Sequence, residues 1–326
     1  MAQEIQRRVS TIYEPPELGC QGELLSDTEI EYFKTNGFLF KRQLLDSVAA
    51  TAAMDRIWEA LLNTVPLAAD AKQHIRREDP DSWRAPAWAP MPSAEISGFF
   101  EGRQRTVAQG RTVKMHEIGA ERYLLDLVPN NERVTAIARL LLADKLKTCE
   151  RTRGVYALFP PARLSEQETA ERISGASLGP HTDRVCQQLN VCAYLEDVPP
   201  RSGGFTVYPG SHRIMFNAHE YESNWSPKLT FRSAMREVVA NITPVEFVGS
   251  QGDVVFWHGR TVHSAGIHIG ETIRWAVFAD FNEAREVLDA EGHRALGQYE
   301  WFKDAKLFKE DFKASDDMWR SWRLGR

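Results

Sequence analysis

Long apolar runs are missing from this chain. No stretch of about 18 apolar residues occurs, so no membrane span is expected. The opening MAQEIQRRVS lacks the apolar centre of a secretory signal, which points to a cytoplasmic protein. Cysteine is scarce. The four present, Cys20, Cys149, Cys186 and Cys192, form no C-x-x-C pair. That argues against a disulfide framework or a zinc knuckle and fits a reducing compartment. An excess of positive charge is absent too. A net charge of -5 over 326 residues speaks against a nucleic-acid partner, whose phosphates need a concentrated basic face. Local basic clusters remain, at Arg76-Arg77 and at Arg103, Arg105, Arg111 and Lys114. They read as solvated surface or as a grip on an anionic small-molecule substrate.

Internal repeats and breaks between domains are also lacking, so the pattern predicts one domain over 1–326. Residues 24–150 read as its helical part. Ser26-Asp27-Thr28-Glu29 is a capping box that opens a short amphipathic helix, with Ile30 and Phe33 on its apolar face and Asn36-Gly37 as its stop. Phe38 to Phe40 reads as a strand, and Asp46 caps a second helix from about Ser47 to Asn63. Residues 64–120 read as a loop, because prolines and tryptophans crowd Asp79 to Pro92. A loop of that length suggests a lid or substrate wall. Another helix runs from about Glu132 to Ala143.

From Gly154 the pattern changes to short strands punctuated by Gly and Pro. They are Val155–Phe159, Leu189–Leu195, Phe205–Tyr208, Val245–Val248, Asp253–Trp257 and Ile273–Phe278. Such spacing predicts a mainly β fold with flanking α, built on a jelly-roll core over 151–281. The polar stretch 161–176 reads as a helical insertion at the mouth of the barrel. A C-terminal helical segment, 282–326, carries Trp301, Phe308, Phe312, Trp319 and Trp322. It is expected to pack on the barrel or to form a homodimer contact.

The chemistry sits in three places. In Gly179-Pro180-His181-Thr182-Asp183, positions i and i+2 of an extended chain share a face, so His181 and Asp183 can aim at one point. His263 follows the apolar strand Val254-Val255-Phe256 and supplies a third ligand from a distant strand. Two imidazoles and a carboxylate leave open positions on a metal, as in the facial triad of Fe(II) oxygenases, although Zn(II) accepts the same donors. Arg274 favours the first, with a salt bridge to a protein carboxylate as its competing role. A charge among Ile273, Trp275, Val277 and Phe278 is costly unless paired, and its fork matches the distal carboxylate of 2-oxoglutarate.

These residues occur with Leu25-Ser26-Asp27, Asn36-Gly37-Phe38, the run Gly203 to Arg213, Gly252 to Phe256 and His263-Ser264-Ala265-Gly266. In that order they resemble the phytanoyl-CoA dioxygenase family of 2-oxoglutarate oxygenases. The resemblance implies a double-stranded β-helix core. It also implies His181, Asp183 and His263 as iron ligands and Arg274 as the 2-oxoglutarate anchor, with Asn190 as a further contact. Fe(II), 2-oxoglutarate and O2 are the implied cofactors. The implied reaction is C–H hydroxylation of a small metabolite with release of succinate and CO2. An intact Asp183 disfavours halogenation, while desaturation and ring closure stay open. A hydroxyl residue often stands two positions after the anchor; here it is Ala276, which leaves Thr206, Ser264 and Thr272 as candidates for the second carboxylate contact. His212 reads as a turn brace, His258 and His268 as neighbours of the site, and His116 as a pocket wall. The rival readings are a zinc hydrolase, which gives Arg274 no role, and a non-catalytic ligand-binding barrel.

Overall fold

A computed structural model describes residues 8–16, 24–64, 75–84, 107–109, 112–174, 179–183, 187–218, 229–284, 316–320 and 322–325. After β1 (Thr11–Ile12), α1 (Asp27–Asn36) starts where the capping box places it. Ser26 Oγ accepts from the Glu29 N–H at 3.2 Å, and Glu29 Oε2 accepts from the Ser26 N–H at 2.9 Å. The helix stops at Gly37, whose φ of 79° and close packing exclude a side chain: a Cβ would lie 2.5 Å from His212 Nδ1. The chain passes directly into β2 (Phe38–Lys41), then into α2 (Ser47–Thr64).

The remaining strands are β3 (Val107–Gln109), β4 (Thr112–Met115), β5 (Gly154–Leu158), β6 (Leu189–Tyr194), β7 (Phe205–Val207), β8 (Val245–Glu246), β9 (Val254–His258), β10 (His263–Ala265) and β11 (Arg274–Phe281). The remaining helices are α3 (Arg122–Leu127), α4 (Glu132–Leu141), α5 (Glu166–Ser174), α6 (Ser211–Ala218) and α7 (Leu229–Asn241). Asn131 caps α4 by accepting from the N–H groups of Arg133 and Val134.

Two sheets form. The larger has the order β2-β9-β6-β11-β5-β4-β3 and is antiparallel throughout. The smaller has the order β1-β8-β7-β10, with only the β1–β8 pair parallel. Strand alternation divides the core in two. On one face of the large sheet, Leu39, Val191, Phe256, Trp275 and Val277 pack with Phe33 of α1, Ile57 of α2 and Ile137 of α4. On the other face, Phe38, Cys192, Trp257, Ala276 and Phe278 meet Phe205, Val207 and Phe247 of the small-sheet side. Each large side chain so buried contributes about 1.5–3 kcal/mol, so both faces of the large sheet are anchored by packing.

Three expectations need correction. The architecture is mixed α/β rather than mainly β, because helices cover a whole face of the large sheet. Residues 64–120 are not one loop: β3 and β4 form a hairpin on the sheet edge, and 3-10 turns occupy Pro80–Arg84 and Glu117–Ala120. The large sheet therefore draws strands from well before residue 151. Trp83 packs against Trp58, with ring centroids 6.2 Å apart. The rest of the expected lid, 65–74 and 85–106, lies outside the described residues, as do 285–315 of the C-terminal segment. The described C-terminal residues form turns, where Trp319 and Trp322 pack on Phe33 and His258. The helical insertion is present as α5. Among the described residues, no helix is long and apolar enough to cross a membrane.

Candidate metal centre

His181 and His263 are brought face to face by backbone pairing. The His181 N–H donates to His263 O at 3.0 Å, and the His263 N–H donates to His181 O at 2.9 Å. This is the doubly bonded antiparallel pair, in which both side chains leave the sheet on one side. Their rings stand 4.6 Å apart. Each ring is then fixed from behind: His181 Nδ1 donates to Gly179 O at 2.9 Å, and His263 Nδ1 donates to Thr261 O at 3.0 Å. A carbonyl only accepts, so the ring proton sits on Nδ1 and Nε2 keeps its lone pair for a metal. Burial, aided by His263, pushes His181 down to about 4, so it is neutral at pH 7.

Asp183 joins them from position i+2. Its Oδ1 lies 3.5 Å from His263 Nε2, and one ligand atom from each of His181, Asp183 and His263 falls within 4.8 Å of the others. Burial alone pushes the Asp183 carboxyl up. The Arg153 guanidinium, with His263 and His181, outweighs that and holds it well below the usual carboxylate range. Two imidazoles and a carboxylate held ionised are the donor set that a hard-to-borderline divalent ion requires.

Behind Asp183 stands a row of charges at one level of the large sheet. Asp280 of β11 is opposite Asn190 of β6, and Asn190 is opposite Trp257 of β9. Arg153, just before β5, joins this row. Its Nη1 donates to Asp183 Oδ2 at 2.6 Å, its Nε to both Asp280 oxygens at 2.9 Å, and its Nη2 to Asn190 Oδ1 at 2.6 Å. Asn190, implied above as a 2-oxoglutarate contact, thus spends its oxygen on Arg153. Its Nδ2 and the Trp257 Nε1 are buried without a partner among the described residues.

Arg274 lies at the other end of β11, on the same face as Asp280. It is buried, and its Nε donates to Gly203 O at 3.2 Å. Gly203 brings that carbonyl close with a φ of 76°, where a Cβ would stand 2.3 Å from Leu158 Cδ2. Arg274 Nη1 is buried with no partner among the described residues. The unpartnered atoms of Arg274, Asn190 and Trp257 are all donors, so they fit an anionic, oxygen-rich ligand such as 2-oxoglutarate. Lys114 adds a second cation, which sequence reasoning met only as part of a basic cluster. It faces Tyr156 across β4–β5, its ammonium 5.2 Å from the ring. Burial lowers its pKa, with Asp183 opposing that shift and Arg153 and Arg274 adding to it.

Two of the three hydroxyls expected near Arg274 point elsewhere. Ser264 pairs with Thr206, one position from the His263–Val207 pair, and one position is a change of face. Thr206 Oγ1 instead donates to Gly204 O. Only Thr272 of the three keeps a buried, unpartnered hydroxyl. Among the other histidines, His212 lies in the first turn of α6, and its Nε2 donates to Lys34 O at 3.1 Å, beside the Gly37 turn that ends α1. His258 turns away from the triad and stacks on Trp322 at 5.2 Å. His268 stands beside Gly203, and His116 donates from Nδ1 to Arg153 O at 2.6 Å. Arg153 and Asp280 were missed in the sequence, although Asp280 interrupts the apolar Ala279 and Phe281 just as Arg274 interrupts its neighbours.

Residues 170–276 match the model of the phytanoyl-CoA dioxygenase (PhyH) family. The peroxisomal phytanoyl-CoA dioxygenase of Bos taurus is 27% identical over 106 residues, which are 31% of this chain and 31% of that protein. The match thus spans about a third of that curated relative. EctD from S. alaskensis, crystallised with 2-oxoglutarate and 5-hydroxyectoine, superposes with a TM-score of 0.50 at 14% identity, over 99% of this chain and 95% of that one. At that identity the likeness shows a shared fold. The epimerase SnoN, crystallised with Fe3+, alpha ketoglutarate and nogalamycin RO, has a TM-score of 0.45 at 19% identity, over 78% of this chain and 82% of that one. The matched segment 170–276 contains His181, Asp183, His263 and Arg274, so the similarity to the phytanoyl-CoA dioxygenase (PhyH) family covers the residues of the candidate site.

Proposed function

We propose that the protein is an Fe(II)- and 2-oxoglutarate-dependent dioxygenase that hydroxylates an unactivated C–H of a small organic metabolite. One observation carries this reading: His263 of the His-Asp-His triad packs on Phe205, Phe205 packs on Phe278, and the buried guanidinium of Arg274 lies 5.9 Å from the Phe278 ring with its Nη1 unpartnered among the described residues. In this reading the two facing sheets are a double-stranded β-helix, with the triad on the edge of the smaller one. His181 Nε2, His263 Nε2 and one oxygen of Asp183 hold Fe(II). Arg274, oriented by Gly203 O, binds the distal carboxylate of 2-oxoglutarate through a charge-assisted bond. Iron, 2-oxoglutarate and O2 together supply the two-electron oxidant, and 2-oxoglutarate leaves as succinate and CO2.

The chain itself positions and shields. Phe205 and Trp257 stand 5.6 and 5.4 Å from the His263 ring and keep water from that side. Lys114 adds a further positive charge near Asp183 and Arg274, which favours a carboxylate or phosphate on an incoming molecule. Desaturation or ring closure would use the same groups. A zinc hydrolase would leave Arg274 buried and charged without a purpose.

Anaerobic titration of the protein with Fe(II) and 2-oxoglutarate tests this. A weak visible charge-transfer band should appear in the wild type and be absent in His263→Ala. On admitting air, wild-type protein should form succinate. No band and no succinate from folded wild-type protein would refute the assignment.

A further inference from the structure

We infer that Arg153 is a positioning residue: held by Asp280 and Asn190, it withholds one oxygen of Asp183 from the metal. The inference rests on the reading above, in which a metal ion sits in the triad. A free carboxylate offers two oxygens, and a divalent ion accepts both if nothing prevents it. In this protein the two oxygens of Asp183 have different partners. Oδ1 faces His263 Nε2, on the metal side, while Oδ2 lies 2.6 Å from Arg153 Nη1.

Arg153 is itself fixed from several directions. Its backbone N–H donates to Phe278 O at 2.7 Å, and its carbonyl accepts from His116 Nδ1. Nε and Nη2 are engaged by Asp280, and Nη2 also by Asn190. These anchors come from β11 and β6, so the direction of Nη1 is set by paired strands rather than by a loop. A guanidinium is required, because only a planar fork presents one edge to Asp280 and still reaches Asp183.

The consequence is a count of open positions. Two imidazoles and one carboxylate oxygen leave three positions on a six-coordinate ion; a chelating carboxylate would leave two. 2-Oxoglutarate fills two and O2 needs another. Arg153 thus keeps open the position at which O2 must arrive.

The test uses Mn(II) as the probe, with 2-oxoglutarate, and reads water-proton relaxation, which reports exchangeable water on the ion. Wild-type protein should keep fast-relaxing, metal-bound water after 2-oxoglutarate saturates. Arg153→Gln should lose most of that enhancement while still binding both ligands, and Arg153→Lys should restore only part of it. Asp280→Asn, which loosens the fork without removing it, should show a smaller loss in the same direction. A merely structural role predicts a lower unfolding temperature with unchanged relaxation in the folded protein. Wild-type relaxation in folded Arg153→Gln overturns the inference. If that variant does not fold, wild-type relaxation in folded Asp280→Asn overturns it equally. Should wild-type protein bind no Mn(II) and show no charge-transfer band with Fe(II), the metal reading falls and takes this inference with it. Binding by wild type with indifferent variants removes the inference alone.

Discussion

Asp280 and Arg274 stand at opposite ends of one face of β11, and the protein treats them in opposite ways. Asp280 is met by Arg153 through two nitrogens, and the same guanidinium reaches Asp183 and Asn190. Arg274 is met by a single carbonyl, with Nη1 left buried and unpartnered. A buried charge that is fully met by protein holds the scaffold. A buried charge met only in part is destabilising by itself, and its persistence marks a place where a ligand completes it. In the proposed reading, the difference separates the end that aims the metal ligands from the end that receives the co-substrate.

The comparison breaks most readily at the saturated end. Arg153→Met leaves Asp183 and Asp280 buried without their cation, and should lower stability by about 3–5 kcal/mol in chemical denaturation. Arg274→Met removes a charge that the protein does not itself satisfy, so stability should hold or rise. Its loss should instead appear as roughly 100-fold weaker 2-oxoglutarate binding, about 2–3 kcal/mol, in the charge-transfer titration. Equal destabilisation by both substitutions would erase the distinction.

Acid should separate the ends next. The folded pKa of Asp183 is depressed below the unfolded 3.8, so its contribution is complete above that value and is lost as pH falls through the folded value. Metal-free wild-type protein should therefore keep this contribution down to the carboxylate range and lose it below, by up to about 1.4 kcal/mol per pH unit. In Arg153→Met, with the main lowering influence gone, acid unfolding followed by circular dichroism should begin at higher pH. The smallest effect serves as a control. Ser26→Ala breaks the capping box of α1 on the far face of the large sheet, and should cost about 1 kcal/mol with no change in metal or 2-oxoglutarate binding.

Local signals were readable wherever a short stretch decides its own structure. Ser26 and Glu29 close a capping box within one helical turn, and Gly37 ends the same helix. His181 and Asp183 share a face because extended chain alternates. Arg274 was legible because a charge among apolar residues demands a partner. The argument applies equally to Asp280, whose neighbours Ala279 and Phe281 are apolar, but its partner Arg153 lies on a segment with no periodic pattern. The β3–β4 hairpin was hidden by the prolines and tryptophans just before it. Thr206 and Ser264 were misplaced because their side of the sheet depends on a register set by β7 pairing with β10.

The metal centre shows where that boundary lies. By itself the sequence determined which residues are candidates, because ligand chemistry, caps and alternation depend on near neighbours and residue type. Only the tertiary structure decided that His181 faces His263, that Arg153 meets Asp183, and that Arg274 Nη1 is left open. Those facts depend on strand register between segments far apart in the chain, where a shift of one residue reverses every side chain and no local preference sets the choice.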